Sequence, residues 1–471
     1  MPEPVRRRRL RIAYLVYRGN PRCGGQGVYT RHLTRELTEL GHSVTVFSGP
    51  PYPELCESVE LVKVASLDLY REPDPFRVPR LREFTSAVDL LEFALMCSAG
   101  FPEPLTFSLR ARRLLAGRLG DFDLVHDNQS LGTGIVGMMR DGWPVLATIH
   151  HPITVDRELD LAHAEGWQRR LTLRRWYGFV GMQARVARQV RRIVTVSESS
   201  RRDIADQLGV ALERMAVVPV GVDGAVFRPM PGTQRVPGRI MTTASSDVPM
   251  KGLVPLLEAL AKVRTERQDA HLVVIGRLRD GSTIPAALDR FGLAGAVRFL
   301  SGLSDQAIVD LYAEAEIAVV PSLYEGFSLP AIEAMACGVP LIATTGGALP
   351  EVTGPSGVSA LLVPPNDPGS LAQAILTALG DPALRRRLGT AGRKRTSARF
   401  TWPVTARATA EQYFELLACC PSTSTASASA APSACSTWAV VGAGTPSAAC
   451  VAVPLSSPST RTWTRSRASS G

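Results

Sequence analysis

The chain has 471 residues, 45% of them hydrophobic and 20% charged, the composition of a soluble globular protein with room for two domains of ordinary size. Lys and Arg (53) outnumber Asp and Glu (43), so the net charge of +10 favours acidic partners such as phosphorylated small molecules, anionic lipid surfaces or nucleic acid. There is no unbroken apolar run of about 18 residues or more, so no membrane span is predicted. The eight cysteines lack metal spacing and make no disulfide framework. Arg6 to Arg9 precede only a short apolar run, better read as a strand than as a secretion signal, so a cytoplasmic location is expected. No recognised nucleic-acid module appears.

Arg11 to Tyr17 reads as a buried first strand. Cys23-Gly24-Gly25-Gln26-Gly27 opens a helix running through Leu40, and Gly41 leads into a strand over Ser43 to Phe47, so the chain begins with a β-α-β unit. Gly24 and Gly25 let backbone approach a ligand at the helix start. The turn is not G-x-G-x-x-G, and Phe47-Ser48-Gly49 offers no acid to the ribose of a nicotinamide cofactor, which disfavours a dehydrogenase. Pro50 to Arg118 reads as irregular, because Pro73, Pro75, Pro79, Pro102 and Pro104 prevent long helices except around Phe84 to Met96. Asp121-Phe122-Asp123 has the spelling of a metal-binding D-x-D. It only precedes a strand, Leu124 to His126, with no other ligands nearby, so no catalytic metal is predicted.

Val145 to Ile149 is a buried-strand pattern that ends in His150 and His151. Trp167 to Arg192 interleaves arginines with Trp176, Tyr177, Phe179 and Val180. Such a stretch is either a charged outer helix over an apolar core face or a basic aromatic helix in peripheral contact with an anionic membrane. Ile193 to Val196 followed by Ser197-Glu198-Ser199-Ser200 reads as a strand running into a capped helix. The Pro/Gly-rich segment between Arg228 and Arg239 reads as a linker.

From Ile240 a second series begins. Ile240 to Ala244, His271 to Gly276, Val297 to Leu300, Ile317 to Pro321 and Leu341 to Thr345 are short apolar strands separated by helical stretches, which predicts a second parallel sheet with helices on both faces. Lys251-Gly252 opens a helix at the first of these strand ends. Between the last two strands, Pro330 suits a first helical turn, and Gly338 with Pro340 marks the stop. Glu325 then lies in the loop at a strand's carboxyl end, and Glu333 about one turn inside the helix. The N–H groups of residues 327 to 330 face the crevice where open parallel sheets bind ligands, and can hold an anion there. This spacing suits a phosphate-bearing ligand whose sugar hydroxyls donate to two carboxylates; equally, it suits a cap-region Glu and a solvated helix Glu. A final amphipathic helix covers Ala406 to Leu417. Beyond it residues 419–471 form a Ser/Thr/Ala-rich tail that is expected to be disordered.

The spelling Glu325-Gly326-Phe327-Ser328-Leu329-Pro330-Ala331-Ile332-Glu333, continuing to Cys337-Gly338-Val339-Pro340, resembles the signature of family 4 retaining glycosyltransferases. These are GT-B enzymes that use nucleotide-activated sugars. The resemblance extends from Arg11 to Leu417. Pro144 to His150 is similar to the family strand whose terminal His lies beside the transferred sugar. Pro219-Val220-Gly221-Val222-Asp223 resembles the family's domain junction, with Val220 in place of the usual Asn.

The resemblance implies an α/β fold of two facing Rossmann-like domains, 1–225 and 226–400, with helix 401–418 crossing back to complete the first. It implies catalytic roles for His150, near the reacting carbon, for Lys251, on the diphosphate, and for Glu325, on hydroxyls of the transferred sugar. Donor contacts are implied for Gly24, Gly25, Gly326, Phe327, Ser328, Leu329 and Glu333, the last on the ribose. The family Arg five residues before Lys251 is Ser246 here, beside Asp247 of the wrong sign, and Arg277 is the candidate replacement. The activity implied is retaining transfer of a hexose from a nucleotide diphosphate sugar to an acceptor the residues do not name, with no further cofactor. Ser246 keeps a second reading open, that of a catalytically silent nucleotide-sugar-binding protein or partner subunit. A pyridoxal phosphate phosphorylase of the same architecture finds no suitable lysine context.

Overall fold

The computed structural model describes residues 8–20, 25–71, 74–164, 166–244, 248–278 and 282–419. In the first half the order is β1 Arg11–Val16, α1 Gly25–Glu39, β2 Ser43–Ser48, β3 Glu60–Lys63, α2 Ala87–Cys97, α3 Glu103–Leu115, β4 Leu124–Asn128 and α4 Thr133–Arg140. It continues with β5 Val145–Ile149, α5 Thr154–His163, α6 Trp167–Trp176, α7 Phe179–Ala187, β6 Arg192–Thr195, α8 Glu198–Leu208 and β7 Met215–Val217. The second half runs β8 Arg239–Thr243, α9 Leu253–Arg264, β9 His271–Ile275, α10 Ile284–Arg290, β10 Val297–Leu300, α11 Asp305–Glu314 and β11 Ile317–Val320. Then follow α12 Leu329–Ala336, β12 Leu341–Thr344, α13 Leu349–Thr353, β13 Leu361–Val363, α14 Pro368–Gly380, α15 Pro382–Arg399 and α16 Trp402–Ala418.

The strands form two parallel sheets, ordered β3-β2-β1-β4-β5-β6-β7 and β10-β9-β8-β11-β12-β13. Central strands such as β5 and β11 are buried at every position, because helices cover both faces and leave no polar side for alternation. Each sheet reverses its winding once, between β1 and β4 and between β8 and β11. At such a switch point the loops after the two strands part and leave a crevice at their carboxyl ends. The loop after β11 carries Glu325, and the turn after β8 carries Lys251.

α16 packs on the first sheet unit. Trp402, buried, stacks on His32 at 5.0 Å and meets Tyr29 edge-on at 5.7 Å. Tyr413 Oη lies 2.6 Å from His126 Nδ1, and Arg192 Nε donates to Gln412 Oε1 at 2.7 Å.

Two expectations need correction. The segment Pro50 to Arg118 holds a second helix, α3, in which Pro102 is the N-cap and Pro104 lies in the first turn; those positions need no N–H, so these prolines start a helix instead of breaking one. The stretch Trp167 to Arg192 is two helices, α6 and α7, divided at Tyr177-Gly178 and followed by a strand that begins at Arg192. The tail expected to be disordered lies outside the described residues but for Cys419.

Candidate active site

The loop from Pro321 to Ser328 turns the chain from β11 into α12. Ser328 is held at φ +95°, an uncommon conformation for a side chain with a Cβ, and its buried Oγ has no hydrogen-bond partner. Among the described residues no group accepts from the N–H groups of Phe327, Ser328 or Leu329. Pro330, the second helical residue, has no N–H, so the donors expected over 327 to 330 are confined to three. Three free donors at the positive end of a helix, with an orphan hydroxyl beside them, form an anion-binding cradle.

Lys251 is tied to the same loop. It ends a tight turn over Pro249–Lys251, and Gly252 then adopts φ +66° against the Pro321 carbonyl, which a Cβ would meet at 2.0 Å. Only glycine allows that approach. It brings Lys251 Nζ to 2.8 Å from Glu325 Oε1, which also accepts from Ser322 Oγ at 2.7 Å. The loop is tied further by Leu323 N–H to the Met250 carbonyl (2.7 Å) and by Ala348 N–H to the Glu325 carbonyl (2.8 Å).

The first sheet unit supplies the facing wall. A Cβ on Gly326 would lie 3.1 Å from both the His150 carbonyl oxygen and His151 Cβ, and the Gly326 carbonyl accepts from Ser197 Oγ (2.7 Å) and Ser200 Oγ (3.2 Å) at the start of α8. His150 ends β5. Its N–H donates to Gln129 Oε1 at 2.8 Å, its Nε2 lies 2.9 Å from Asn128 Oδ1, and its ring meets Tyr29 edge-on at 4.8 Å. Asn128 Nδ2 donates to Thr30 Oγ1, so its oxygen faces His150; on that network the imidazole proton sits on Nε2 and Nδ1 is left as an acceptor. Burial, reinforced by His151, pushes the His150 pKa down to about 3, so the ring is neutral and accepts rather than protonates.

Residues 23–225 match the family Glycosyltransferase Family 4, and residues 234–395 match Glycosyl transferases group 1. An MMP alpha-(1->4)-mannosyltransferase of Mycolicibacterium hassiacum is 52% identical over 410 residues, which are 87% of this chain and 99% of that one. The chain belongs to glycosyltransferase family 4. It is a glycosyltransferase with the GT-B architecture. A D-inositol 3-phosphate glycosyltransferase of Kineococcus radiotolerans is 29% identical, covering 85% of this chain and 92% of its own. Among solved structures, sucrose-phosphate synthase from Thermosynechococcus elongatus superposes with a TM-score of 0.66 at 25% identity, over 87% of this chain and 100% of that one. Anabaena HepE in complex with UDP-glucose, 16% identical over 86% of this chain and 100% of its own, shares the fold with a TM-score of 0.61.

Not every expected residue of this glycosyltransferase comes together at the cradle. Glu333 lies in the second turn of α12, further along the helix than the cradle and only half-buried, where burial, with Asp305 adding to it, raises its carboxyl to about 7. The Phe327 ring is buried edge-on against Phe400 at 5.5 Å, so this residue offers only its N–H. Arg277 follows β9, the neighbour of β8, and is exposed. Gly24 and Ser246 lie outside the described residues. At Gly25 a Cβ would meet nothing within 4 Å, whereas at Gly27 it would lie 1.8 Å from the Asn20 carbonyl oxygen; Gly27 is the glycine this turn requires.

Other contacts were invisible in the sequence. Both Glu351 carboxylate oxygens accept from the start of α8, from Glu198 N–H (2.8 Å) and Ser199 N–H (2.7 Å). Tyr324, next to Glu325, donates to Asp203 of α8. These pairs join the two sheet units across separations of 153, 152 and 121 residues, so no local pattern marks them.

Proposed function

We propose that this glycosyltransferase is a retaining α-mannosyltransferase that moves mannose from a nucleotide diphosphate mannose to the 4-hydroxyl of a sugar acceptor. The observation that carries the reaction class is the juxtaposition of Lys251, Glu325 and the open start of α12 with His150 across a gap closed by Gly326. The sugar and linkage rest on the 52% identity to an enzyme named as an α-(1→4)-mannosyltransferase. A nucleotide sugar as donor accords with the UDP-glucose bound to Anabaena HepE.

In this reading the diphosphate lies on the N–H groups of Phe327, Ser328 and Leu329, with Lys251 against the oxygen that leaves. The bond from the anomeric carbon to the β-phosphate oxygen breaks, and the carbon takes on oxocarbenium character. Fixed positive charge at the leaving oxygen stabilises that state more than the ground state. The acceptor oxygen bonds to the same face of the carbon as its proton passes to the departing phosphate, so configuration is retained and no enzyme carboxylate is needed as nucleophile. Glu325 accepts from hydroxyls of the transferred sugar and Glu333 from the ribose. His150, neutral, accepts from a sugar hydroxyl near the reacting carbon.

Incubation with nucleotide diphosphate mannose, its glucose counterpart and a mannoside acceptor tests this, with the product linkage read by NMR. An α-(1→4)-linked mannosyl product is expected. A β-linked product, or preferred transfer of glucose, would overturn the assignment.

A further inference from the structure

Helix α2 is inside out. Its acids Asp89 and Glu92 are buried on the guanidinium of Arg110 in α3, while Leu90 and Leu91 face solvent. The ion cluster fixes this orientation, because turning the helix to bury the leucines would leave Arg110 buried without a counter-charge. The segment just before α2 exposes 77% of Val78 and 91% of Leu81. α6 is exposed nearly all round, with Leu173 its one buried residue, and it carries Trp167, 72% exposed, and Leu171 one turn apart on one side.

These pieces are continuous. Arg175 Nε of α6 donates to the Ser98 carbonyl at the end of α2 at 2.6 Å, and the Trp176 ring packs on Phe101 at 5.0 Å and on Phe76 at 6.2 Å. The exposed apolar side chains of α6, of residues 76–82 and of α2 therefore stand on adjoining elements, and exposed apolar side chains gathered in this way mark an interaction site.

Its charge says what covers it. Arg80, Arg82, Arg170 and Arg174 are exposed and, among the described residues, take part in no ion pair. Glu83 is taken by Arg77, which leaves Asp74 as the exposed acid of that segment. A second copy seated by a twofold axis would set these arginines against themselves. An anionic bilayer takes both features, guanidinium groups at the headgroups and Trp and Leu at the acyl boundary.

We propose that the face formed by α2, α6 and residues 76–82 seats the first sheet unit on an anionic lipid surface. Of the stretch Trp167 to Arg192, only α6 takes part. The inference is independent of which sugar is transferred.

The full chain is to be sedimented with vesicles of phosphatidylcholine, with or without phosphatidylglycerol, at low and raised salt. Binding is expected only with phosphatidylglycerol, weakening as salt shortens the screening length, and with a blue shift in emission that Trp167→Phe removes. Leu171→Glu, or Leu90→Glu with Leu91→Glu, should lower the bound fraction about tenfold. Leu212→Glu, exposed beside the edge strand β7, should leave it unchanged, and turnover on a water-soluble acceptor should be the same for all. Absent binding, or equal binding to both vesicle types, would overturn the proposal. So would a dimer in sedimentation that Leu171→Glu dissociates, which would assign the face to a second copy.

Discussion

Lys251→Met keeps the length of the side chain and removes its charge. Lys251 is 33% exposed and Glu325 11%, so their ion pair is partly in water and contributes about 1 kcal/mol or less to stability. Against a diphosphate the same ammonium acts differently: at about 4 Å and an effective dielectric of about 20, a unit charge pair is worth roughly 4 kcal/mol. Where that interaction grows as the leaving oxygen gains charge, its loss should lower kcat by roughly 10²- to 10³-fold. The melting temperature should fall by only about 2–4 °C, the shift expected of about 1 kcal/mol in a domain of roughly 200 residues. Single-turnover transfer beside thermal melting reads both. The competing account is that Lys251 merely neutralises Glu325, which would otherwise keep only the Ser322 hydroxyl. On that account Lys251→Met combined with Glu325→Gln would recover activity. Such recovery, or an unchanged kcat in the single variant, refutes a role for Lys251 at the leaving group.

Glu333, raised from 4.5 to about 7, binds a proton in the fold that it has lost in the unfolded chain between those values. Its contribution to stability therefore declines as pH rises through that window. Donor kcat/KM should move the other way, rising to a plateau above about pH 7 as the carboxylate that accepts from the ribose forms; Glu333→Gln should flatten both profiles, and a donor profile unaltered by it would remove Glu333 from the donor site. Gly326→Ala sets a methyl 3.1 Å from the His150 carbonyl oxygen, so the loop must retreat by a few tenths of an ångström; a several-fold rise in donor KM with near-normal melting is expected, and unchanged kinetics would show that the gap is not gripped. Glu351→Ala strips the acceptor from two N–H groups at the start of α8 and should cost about 1 kcal/mol, with a larger radius of gyration by X-ray scattering; identical scattering would deny it a part in holding the halves together.

How much of this was legible follows from where each signal resides. The runs Val145–Ile149 and Val297–Leu300 could be bounded to the residue, the first because it is buried on both faces, the second because Gly302 and the polar residues after it end the apolar run. The edge strands β3, β7 and β13 are three or four residues long and only partly buried; the apolar stretches Met215 to Val218 and Ala360 to Val363 are too short to be told from loop, and β3 has only Leu61 and Val62 between two charged residues. α2 was found as a helix but not as an inverted one. Its apolar period is the same whichever side faces the core, and only the Arg110 partner, on another helix, decides which.

The candidate site divides along the same line. Lys251, Glu325 and Glu333 stood out in the sequence because each lies in or just after a short strand-to-helix turn with its own spelling. The hold on that loop was not legible. Its second-half ties come from Met250 and Ala348, and the Gly326 carbonyl is taken up by two hydroxyls of the first half. A carbonyl that accepts from both Ser197 and Ser200 fixes the peptide joining Gly326 to Phe327, and hence the direction of the first free N–H of the anion cradle. The geometry of the anion cradle is thus completed by residues more than 120 positions away, and it exists only when the two sheet units meet.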